Sequence, residues 1–420
     1  MNQKKNYIIP LACIGFLFFT VGFALGLNSY LIPLLQKSLS VSKGASYLII
    51  FVTFSAFLIF GYPAGWVIRK IGYKKTMALA FLIFAISFVL FAAAAKMENL
   101  AMFLFASFVC GLGNTVEQAA INPYITILGP IESGARRISI MGICNKISYP
   151  IATLFIAWLV GKPIAEAGVN DVITPFYWIA AIFLVLGVLV LFAPLDEIKA
   201  TGEEEGHEQD CPYAADKTSI WQFPHLVLGC VALFLYVGVE TLALETSVDF
   251  ANTLGLANAE QYSWLPSIGM VIGYIVGIAL IPKPLSQAGA LKICSWLAIL
   301  GTFLTVLTPV KTSIWFVPSI ALACSLIWPA IWPLAMADLG KFTKQGGALL
   351  VVTIFGGAVV PQIFGWISNI LVSHGMDQAT AIQQSYWIAL PCYLFILWYA
   401  YYGYKIRKPA KKKWITGNKY

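Results

Sequence analysis

The amino-acid sequence predicts an all-α membrane protein in which twelve transmembrane helices form two groups of six. The composition excludes an ordinary soluble fold, because 59% of the residues are hydrophobic and 11% are charged, whereas soluble domains carry about 25% charged residues. Twelve apolar runs are long enough to cross a bilayer core, which takes about 20 helical residues. One long polar and acidic segment, 196–223, separates the sixth run from the seventh.

These runs place the predicted spans in order along the chain. The first six cover 8–33, 45–68, 75–95, 99–126, 138–161 and 173–194, and the last six cover 224–248, 261–282, 289–308, 312–337, 346–372 and 382–404. The chain is therefore expected to divide into a first six-helix half (1–195), an acidic cytoplasmic linker (196–223), a second six-helix half (224–404) and a basic cytoplasmic tail (405–420).

Lys and Arg are distributed unevenly between the two sides that an even number of spans implies. With both termini inside, the outer loops contain Lys37, Lys43, Lys96, Lys162 and Lys311, and most other basic residues lie inside. Positive charge favours the cytoplasmic face, so we expect a multi-pass membrane protein with both termini cytoplasmic. The formal net charge of +8 then indicates contact with anionic lipid rather than with nucleic acid.

The fourth span carries a row of polar side chains. Asn114, Gln118 and Asn122 lie four residues apart and therefore share one face of a helix. Glu117 lies one residue away, about 100° around the helix. Polar groups are costly in lipid, so such a row predicts a functional site. Hydrogen bonds between helices are the alternative interpretation.

Three further ionisable residues lie within predicted spans. They are Lys146 in span five and Glu240 and Glu245 in span seven. Intramembrane charges usually pair with one another or face a wet cavity, and they mark ion and proton pathways. We therefore expect Glu117, Glu240 or Glu245 to bind and release a coupled proton, with Lys146 as partner or counter-charge. Structural hydrogen bonds, a wet helix end at Glu245 and a snorkelling Lys146 remain alternatives.

Several stretches of the sequence resemble one known family. They are the basic loop GWVIRKIGYKK after span two, GFALGLNSYLIPLLQ in span one, Asn122-Pro123 followed by Leu128-Gly129-Pro130 at span four, and the Gly-Gly pattern of 343–365 in span eleven. Together they are similar to the fucose–galactose–glucose proton symporter family of the major facilitator superfamily, over essentially the whole chain. The resemblance implies the major facilitator fold and proton-coupled monosaccharide transport by alternating access.

The resemblance also assigns residues, and here the chain departs from the family. Asn28 and Asn145 match family asparagines of the sugar site. Ser29 stands where the family's fucose branch has an Asp, and Gln118 stands where it has a protonatable Glu. The pattern at 114–118 is closer to the glucose/galactose branch. Proton coupling therefore has to be sought at other carboxylates.

Candidate sugar-binding side chains also occur in spans ten and eleven. Trp328 and Trp332 lie four residues apart, and each precedes a Pro. Aromatic rings pack on the CH faces of sugars, and amides such as that of Gln362 bind hydroxyls. The two Trp-Pro steps should bend or break the helix, as is typical of transporter sites. Ordinary packing or a place in an aromatic belt is the alternative for the two Trp residues.

We therefore expect a secondary active transporter that takes up a hexose such as glucose or galactose, or a fucose-like sugar, with protons across a bacterial inner membrane. Another small solute, sodium coupling and a non-transporting membrane sugar sensor remain alternative functions. The expected partners are a sugar, protons and membrane lipid, with no nucleic acid, and the protein is expected to be a monomer. The sequence contains no Walker A motif, no nucleophile–base set and no cluster of metal-ligating residues, so no enzyme, cofactor or metal site is expected.

Overall fold

The computed structural model describes residues 8–127, 134–195, 212–215, 217–281, 284–339 and 342–407. These residues form helices joined by short turns, which confirms the predicted all-α fold class. Most of the expected linker and tail, Lys4 and Lys5, and the Leu128-Gly129-Pro130 motif lie outside the described residues.

The first part of the chain contains six long helices. They are α1 (Ile8–Ser38), α2 (Lys43–Ile71), α3 (Tyr73–Met97), α4 (Leu100–Ile127), α5 (Gly134–Val160) and α6 (Ile173–Phe192). A single residue, Gly72, separates α2 from α3. Its φ of 80° lies in the left-handed region that favours glycine, and its N–H donates to Ile68 O at 2.8 Å. The change of chain direction there depends on a glycine.

The second part of the chain contains more interrupted helices. They are α7 (Pro212–Ala215), α8 (Pro224–Glu245), α9 (Ser247–Thr253), α10 (Trp264–Leu280), α11 (Gln287–Leu307), α12 (Val310–Ser313), α13 (Val317–Cys324), α14 (Ile327–Met336), α15 (Thr343–Val352), α16 (Gly356–Ser373), α17 (Gln378–Ser385) and α18 (Ala389–Tyr401). Short 3₁₀ turns join several of these segments end to end, as between α15 and α16 and between α17 and α18.

The predicted break in span ten lies between α13 and α14, at Ser325 and Leu326. Pro329 follows Ser325 by four residues. A proline has no N–H for the carbonyl four residues earlier, and its ring crowds that carbonyl. The break therefore falls one turn before the first Trp-Pro step, whereas Pro333 lies inside α14.

Eleven helical segments of the described residues are long and apolar enough to cross a membrane. The twelfth predicted span corresponds to α17, the turn Tyr386–Ile388 and α18 in succession. Large hydrophobic side chains such as those of Trp158 and Phe192 remain 74% and 79% exposed. Such surfaces are stable against lipid tails and not in water, so the chain is a multi-pass membrane protein.

Helix packing brings the polar residues of the spans together. In the first part, α1 packs against α5, α2 against α4, and α3 against both α4 and α6. In the second part, α8 packs against α14, α16 and α18. Contacts of α2 with α16 and of α5 with α10 join the two parts. Gly111 of α4 and Gly356 of α16 each face a main-chain carbonyl, of Thr53 and Phe234 respectively, which a Cβ would overlap; small residues allow such close packing.

Candidate functional site

A cavity of about 120 Å³ lies between helices from both parts of the chain. Its polar lining comes from α4, α5 and α8 and includes Gln118, Asn122, Asn145, Lys146, Glu240 and Thr241. Its apolar and aromatic lining includes Phe18, Val21, Leu25, Phe54, Tyr149, Val237, Leu244, Tyr274, Trp328 and Ile354. The cavity thus combines hydrogen-bonding groups with flat apolar surfaces.

The polar row of α4 reaches this cavity over part of its length. Gln118 and Asn122 line the cavity, and both are half-buried. Asn114, one turn earlier, is fully buried, and its Nδ2 donates to Cys110 O at 3.4 Å. A step of four residues advances a helix by about 6 Å, so Asn114 lies beyond the cavity toward the start of α4.

An ion pair crosses the cavity wall between the two parts of the chain. Lys146 Nζ of α5 lies 3.0 Å from Glu240 Oε1 of α8, and the two side chains are 10% and 12% exposed. The ammonium group also lies 5.1 Å from the ring centroid of Tyr149. Asn145, the neighbour of Lys146, donates from Nδ2 to Phe18 O of α1 at 3.0 Å. Each of the two intramembrane charges is therefore neutralised by the other.

Glu117 has a different environment. It is fully buried beside the cavity, and Thr20 Oγ1 of α1 donates to its Oε1 at 2.9 Å. The same hydroxyl oxygen lies 2.7 Å from Leu17 O. Glu117 Oε2 has no hydrogen-bond partner among the described residues. This carboxyl group is paired with a hydroxyl group and not with a cation.

Glu245 of α8 has the same kind of environment, and its hydrogen-bond partner also lies on α1. It is fully buried at the end of α8, where Ser29 Oγ of α1 donates to its Oε2 at 3.1 Å and lies 3.4 Å from Leu244 O. Within the described chain, Glu245 Oε1 and Nδ2 of the adjacent Asn28 have no hydrogen-bond partner. Neither Asn28 nor Glu245 lines the cavity. Ser29, which stands where the fucose branch of the family has an Asp, is thus hydrogen-bonded to a carboxyl group of α8.

The two Trp residues of α14 contribute unequally. Their rings stack at a centroid distance of 5.3 Å and an interplanar angle of 28°. Trp328 lines the cavity, whereas Trp332 packs behind it. Gln362 lies away from the cavity, where its Nε2 donates from α16 to Gly44 O of α2 at 2.9 Å. Gln362 is therefore part of the contact between α2 and α16.

A second buried ion pair has no counterpart among the residues selected from the sequence. Asp249 of α9 accepts hydrogen bonds from Lys43 Nζ at 3.0 and 3.1 Å, from Tyr47 Oη at 3.0 Å and from Gln36 Nε2 at 3.2 Å. The side chains of Lys43 and Asp249 are 3% and 1% exposed. We call these four residues the Asp249 network. It joins α1 and α2 to α9 at the end of the bundle where α1 ends and α2 begins.

The structure therefore separates the residues singled out from the sequence into three groups. Gln118, Asn122, Asn145, Lys146, Glu240 and Trp328 line the cavity; Glu117 and Glu245 are buried carboxyl groups near it; Asn28, Asn114, Trp332 and Gln362 lie in helix contacts. The signal for the Asp249 network was present in the sequence as a basic residue at the start of span two and an acidic one just after span seven. In the described part of the chain, no group of three or more His, Cys, Asp or Glu side chains is placed to hold a metal ion.

Comparison with known proteins gives the family. The family model of the Major Facilitator Superfamily matches residues 14–365. The glucose/galactose transporter of Brucella abortus biovar 1 (strain 9-941) is 32% identical over 418 residues, covering 96% of each chain. The L-fucose-proton symporter of Escherichia coli (strain K12) is 25% identical over 398 residues, covering 88% of this chain and 89% of the symporter.

Solved structures share the fold. The crystal structure of the major facilitator transporter FucP in the outward conformation has a TM-score of 0.69 at 24% identity, covering 94% of this chain and 98% of that one. A bacterial homologue of the lysosomal transporter Spinster, in an inward-facing conformation, has a TM-score of 0.64 at 14% identity, covering 95% and 96%. The family match, the relatives and the shared fold agree, and the chain belongs to the major facilitator superfamily of membrane transporters.

Proposed function

We propose that this protein takes up a monosaccharide together with protons, by alternating access of the cavity to the two sides of the membrane. The observation that carries the proposal is the cavity itself, which brings the amides of Gln118, Asn122 and Asn145 together with the ring of Trp328. Amides donate to and accept from sugar hydroxyls, and an indole ring covers the apolar CH face. Its volume of about 120 Å³ is smaller than that of the pockets that hold drug-sized ligands, about 300–1,000 Å³.

The names of the relatives support both the solute and the coupling ion. The Brucella abortus relative is a glucose/galactose transporter, and the Escherichia coli relative is an L-fucose-proton symporter. We therefore propose glucose, galactose or a fucose-like sugar as the solute.

The proposed proton carriers are Glu117 and Glu245, because each shares a hydroxyl group with a main-chain carbonyl. A hydroxyl group has one proton to donate, so Thr20 can give a full hydrogen bond to Glu117 or to Leu17 O, but not to both. An ionised Glu117 accepts a hydrogen bond from the hydroxyl group of Thr20. A protonated Glu117 can itself donate to Thr20, which then donates to the carbonyl. The hydroxyl group is therefore hydrogen-bonded in both protonation states.

Ser29 offers the same alternatives to Glu245, with Leu244 O as the second acceptor. Glu240 differs, because its Oε1 lies 3.0 Å from Lys146 Nζ. This carboxyl group is paired with a cation and not with a hydroxyl group. We propose that Glu240 and Lys146 stay paired with each other and that neither carries the coupled proton.

The transporter is proposed to be a monomer in a bacterial inner membrane, with both termini in the cytoplasm. The excess of Lys and Arg on the side of the termini supports this orientation. Two six-helix halves, 1–195 and 224–404, would rock about the cavity, as such transporters commonly do. The Asp249 network would then lie at the outer end of the bundle, and the basic tail would lie against anionic lipid.

Proteoliposomes containing the purified protein test the proposal. An inwardly directed proton gradient should drive accumulation of radiolabelled glucose, galactose or fucose. Glu117→Gln and Glu245→Gln should each abolish this accumulation while sugar exchange at equal pH continues, because exchange needs no net proton transfer. Glu166→Gln, a change at an exposed loop residue, is the control and should accumulate sugar normally.

Each alternative gives a different result in the same assay. Binding without accumulation would indicate a sugar sensor, and accumulation that follows a sodium gradient would indicate sodium coupling. Full proton-driven accumulation in both variants would contradict the assignment of Glu117 and Glu245 as proton carriers. If none of the three sugars binds or accumulates, the proposed solute class is wrong.

A further inference from the structure

The two charged side chains of the cavity occupy the place where a solute must bind. Among the residues that line the cavity, all of them within the described part of the chain, Lys146 and Glu240 are the charged ones. They face each other at 3.0 Å from opposite parts of the chain. Lys146 also contacts the ring of Tyr149, and Tyr274 lines the same region. The net charge of the lining is therefore zero.

An uncharged sugar can bind beside this pair without breaking it. A sugar hydroxyl both donates and accepts, so one hydroxyl can accept from Lys146 while a neighbouring one donates to Glu240. An ammonium group has three N–H donors, and the ion pair needs one of them. Both charges therefore keep each other as partners while the sugar adds hydrogen bonds.

A charged sugar changes this balance. A carboxylate on the sugar competes with Glu240 for Lys146, and a sugar ammonium group competes with Lys146 for Glu240. In either case the lining and the sugar together carry one charge that nothing in the cavity balances, in a nearly dry site, which is strongly unfavourable. The lining thus discriminates against charged sugars through the cost of an unbalanced charge.

We infer that Lys146 and Glu240 together select uncharged monosaccharides, and that removing either partner changes the class of sugar that binds. Glu240→Gln leaves a lining with one positive charge, which should favour an acidic sugar. Lys146→Gln leaves one negative charge, which should favour an amino sugar. The inference rests on the proposed sugar site and deepens it, since it assigns the basis of its specificity.

Three sugars with one ring configuration provide the test: galactose, galacturonate and galactosamine. Equilibrium binding to the purified full-length protein in detergent should favour galactose over both charged sugars by at least about tenfold in the unaltered protein. Glu240→Gln should raise the galacturonate-to-galactose affinity ratio by at least about tenfold, and Lys146→Gln should do the same for galactosamine. Glucose, glucuronate and glucosamine form an equivalent series.

Asp249→Asn is the matched control, because it also removes one partner of a buried ion pair between the two parts of the chain, but outside the cavity. Its preference for galactose should be unchanged. Unchanged affinity ratios in both cavity variants would overturn the inference, and so would tight binding of either charged sugar to the unaltered protein. Binding of the charged sugars to the unaltered protein tests the inference even where a variant does not fold. Failure of the unaltered protein to bind any neutral sugar would instead refute the proposed function.

Discussion

Replacing Lys43 by Met removes the cation that pairs with Asp249 in the Asp249 network. Lys43 gives Asp249 two contacts of 3.0 and 3.1 Å, while Tyr47 and Gln36 supply one hydrogen bond each. After the substitution the carboxylate keeps its hydroxyl and amide donors but has lost its counter-charge. Because the site is almost completely buried, water cannot replace the ammonium group while α2 and α9 remain in contact.

The substitution destabilises one conformation of the transporter, the one that is closed at the Asp249 network. Removing one partner of a buried ion pair destabilises a structure by about 3–5 kcal/mol. When the two parts of the chain separate at this end, Asp249 meets water and the penalty largely disappears. Because each 1.4 kcal/mol changes an equilibrium about tenfold, Lys43→Met should shift the ratio of closed to open forms by about 100-fold or more.

Distances between spin labels measure this shift. Ser42, at the start of α2, and Asn369 of α16 lie at the same end of the bundle as the Asp249 network, and their side chains are hydrogen-bonded at 3.3 Å. Cysteines introduced at these two positions can be spin-labelled in a protein without the native cysteines. The parent should give one short distance, and Lys43→Met should add a longer one. A variant that also carries Asp249→Leu should recover most of the closed population, because an apolar pair leaves no unpaired charge.

The control is an exposed ion pair. Lys162 and Asp171 lie 2.9 Å apart with side chains 49% and 30% exposed, and such pairs contribute about 0–1 kcal/mol. Lys162→Met should therefore leave the distance distribution unchanged. An unchanged distribution in Lys43→Met as well would refute the argument that the Asp249 network holds this end closed.

Two other predictions concern the cavity and a loop. Trp328→Ala should weaken sugar binding by about 1–2 kcal/mol, roughly tenfold, while Trp332→Ala, behind it, should have a smaller effect in the same titration. Asp377 caps α17 by accepting from Thr380 N at 3.0 Å, and hydrogen bonds from the Thr380 side chain and N–H hold the pKa of Asp377 below its usual range. A lowered carboxyl pKa stabilises the fold above the ordinary value and loses that contribution as the pH falls through the folded-state value. Asp377→Ala should therefore lower stability by about 1 kcal/mol at pH 7, and thermal unfolding should show the difference vanish in acid.

The helices could be predicted from the sequence because lipid imposes a simple rule on them. Each span must be apolar over about 20 residues, and the predicted ends differ from those of the structure by only a few residues. The break before α14 had a visible cause in Pro329. The interruption at Thr246, between α8 and α9, has no proline near it. Glu245 and Asp249, on either side of it, contact distant helices, and no local sequence pattern predicts such contacts.

The site could be predicted in part for the same reason. Periodicity along α4 places Gln118 and Asn122 on one face, and both line the cavity. Periodicity does not say how far along the helix the cavity extends, so Asn114 was grouped with them. Partners from other helices are harder still: Ser29 and Glu245 are 216 residues apart in the chain, and their contact depends on how α1 and α8 pack.

That contact suggests how proton binding and conformational change are linked in this protein. The resemblance predicts carboxylates at the positions of Ser29 of α1 and Gln118 of α4, and both residues are uncharged. The nearby carboxyl groups are instead Glu117, which hydrogen-bonds within the first part of the chain, and Glu245, which reaches Ser29 from the second part. A hydrogen bond between the two parts exists only while they are together. In the proposed coupling, protonation of Glu245 would change which partner donates in that bond, so the proton would act on a contact that opening must break. Glu117 lacks this link. We therefore expect Glu245→Gln to alter the distance between spin labels at positions 42 and 369, and Glu117→Gln to leave that distance unchanged.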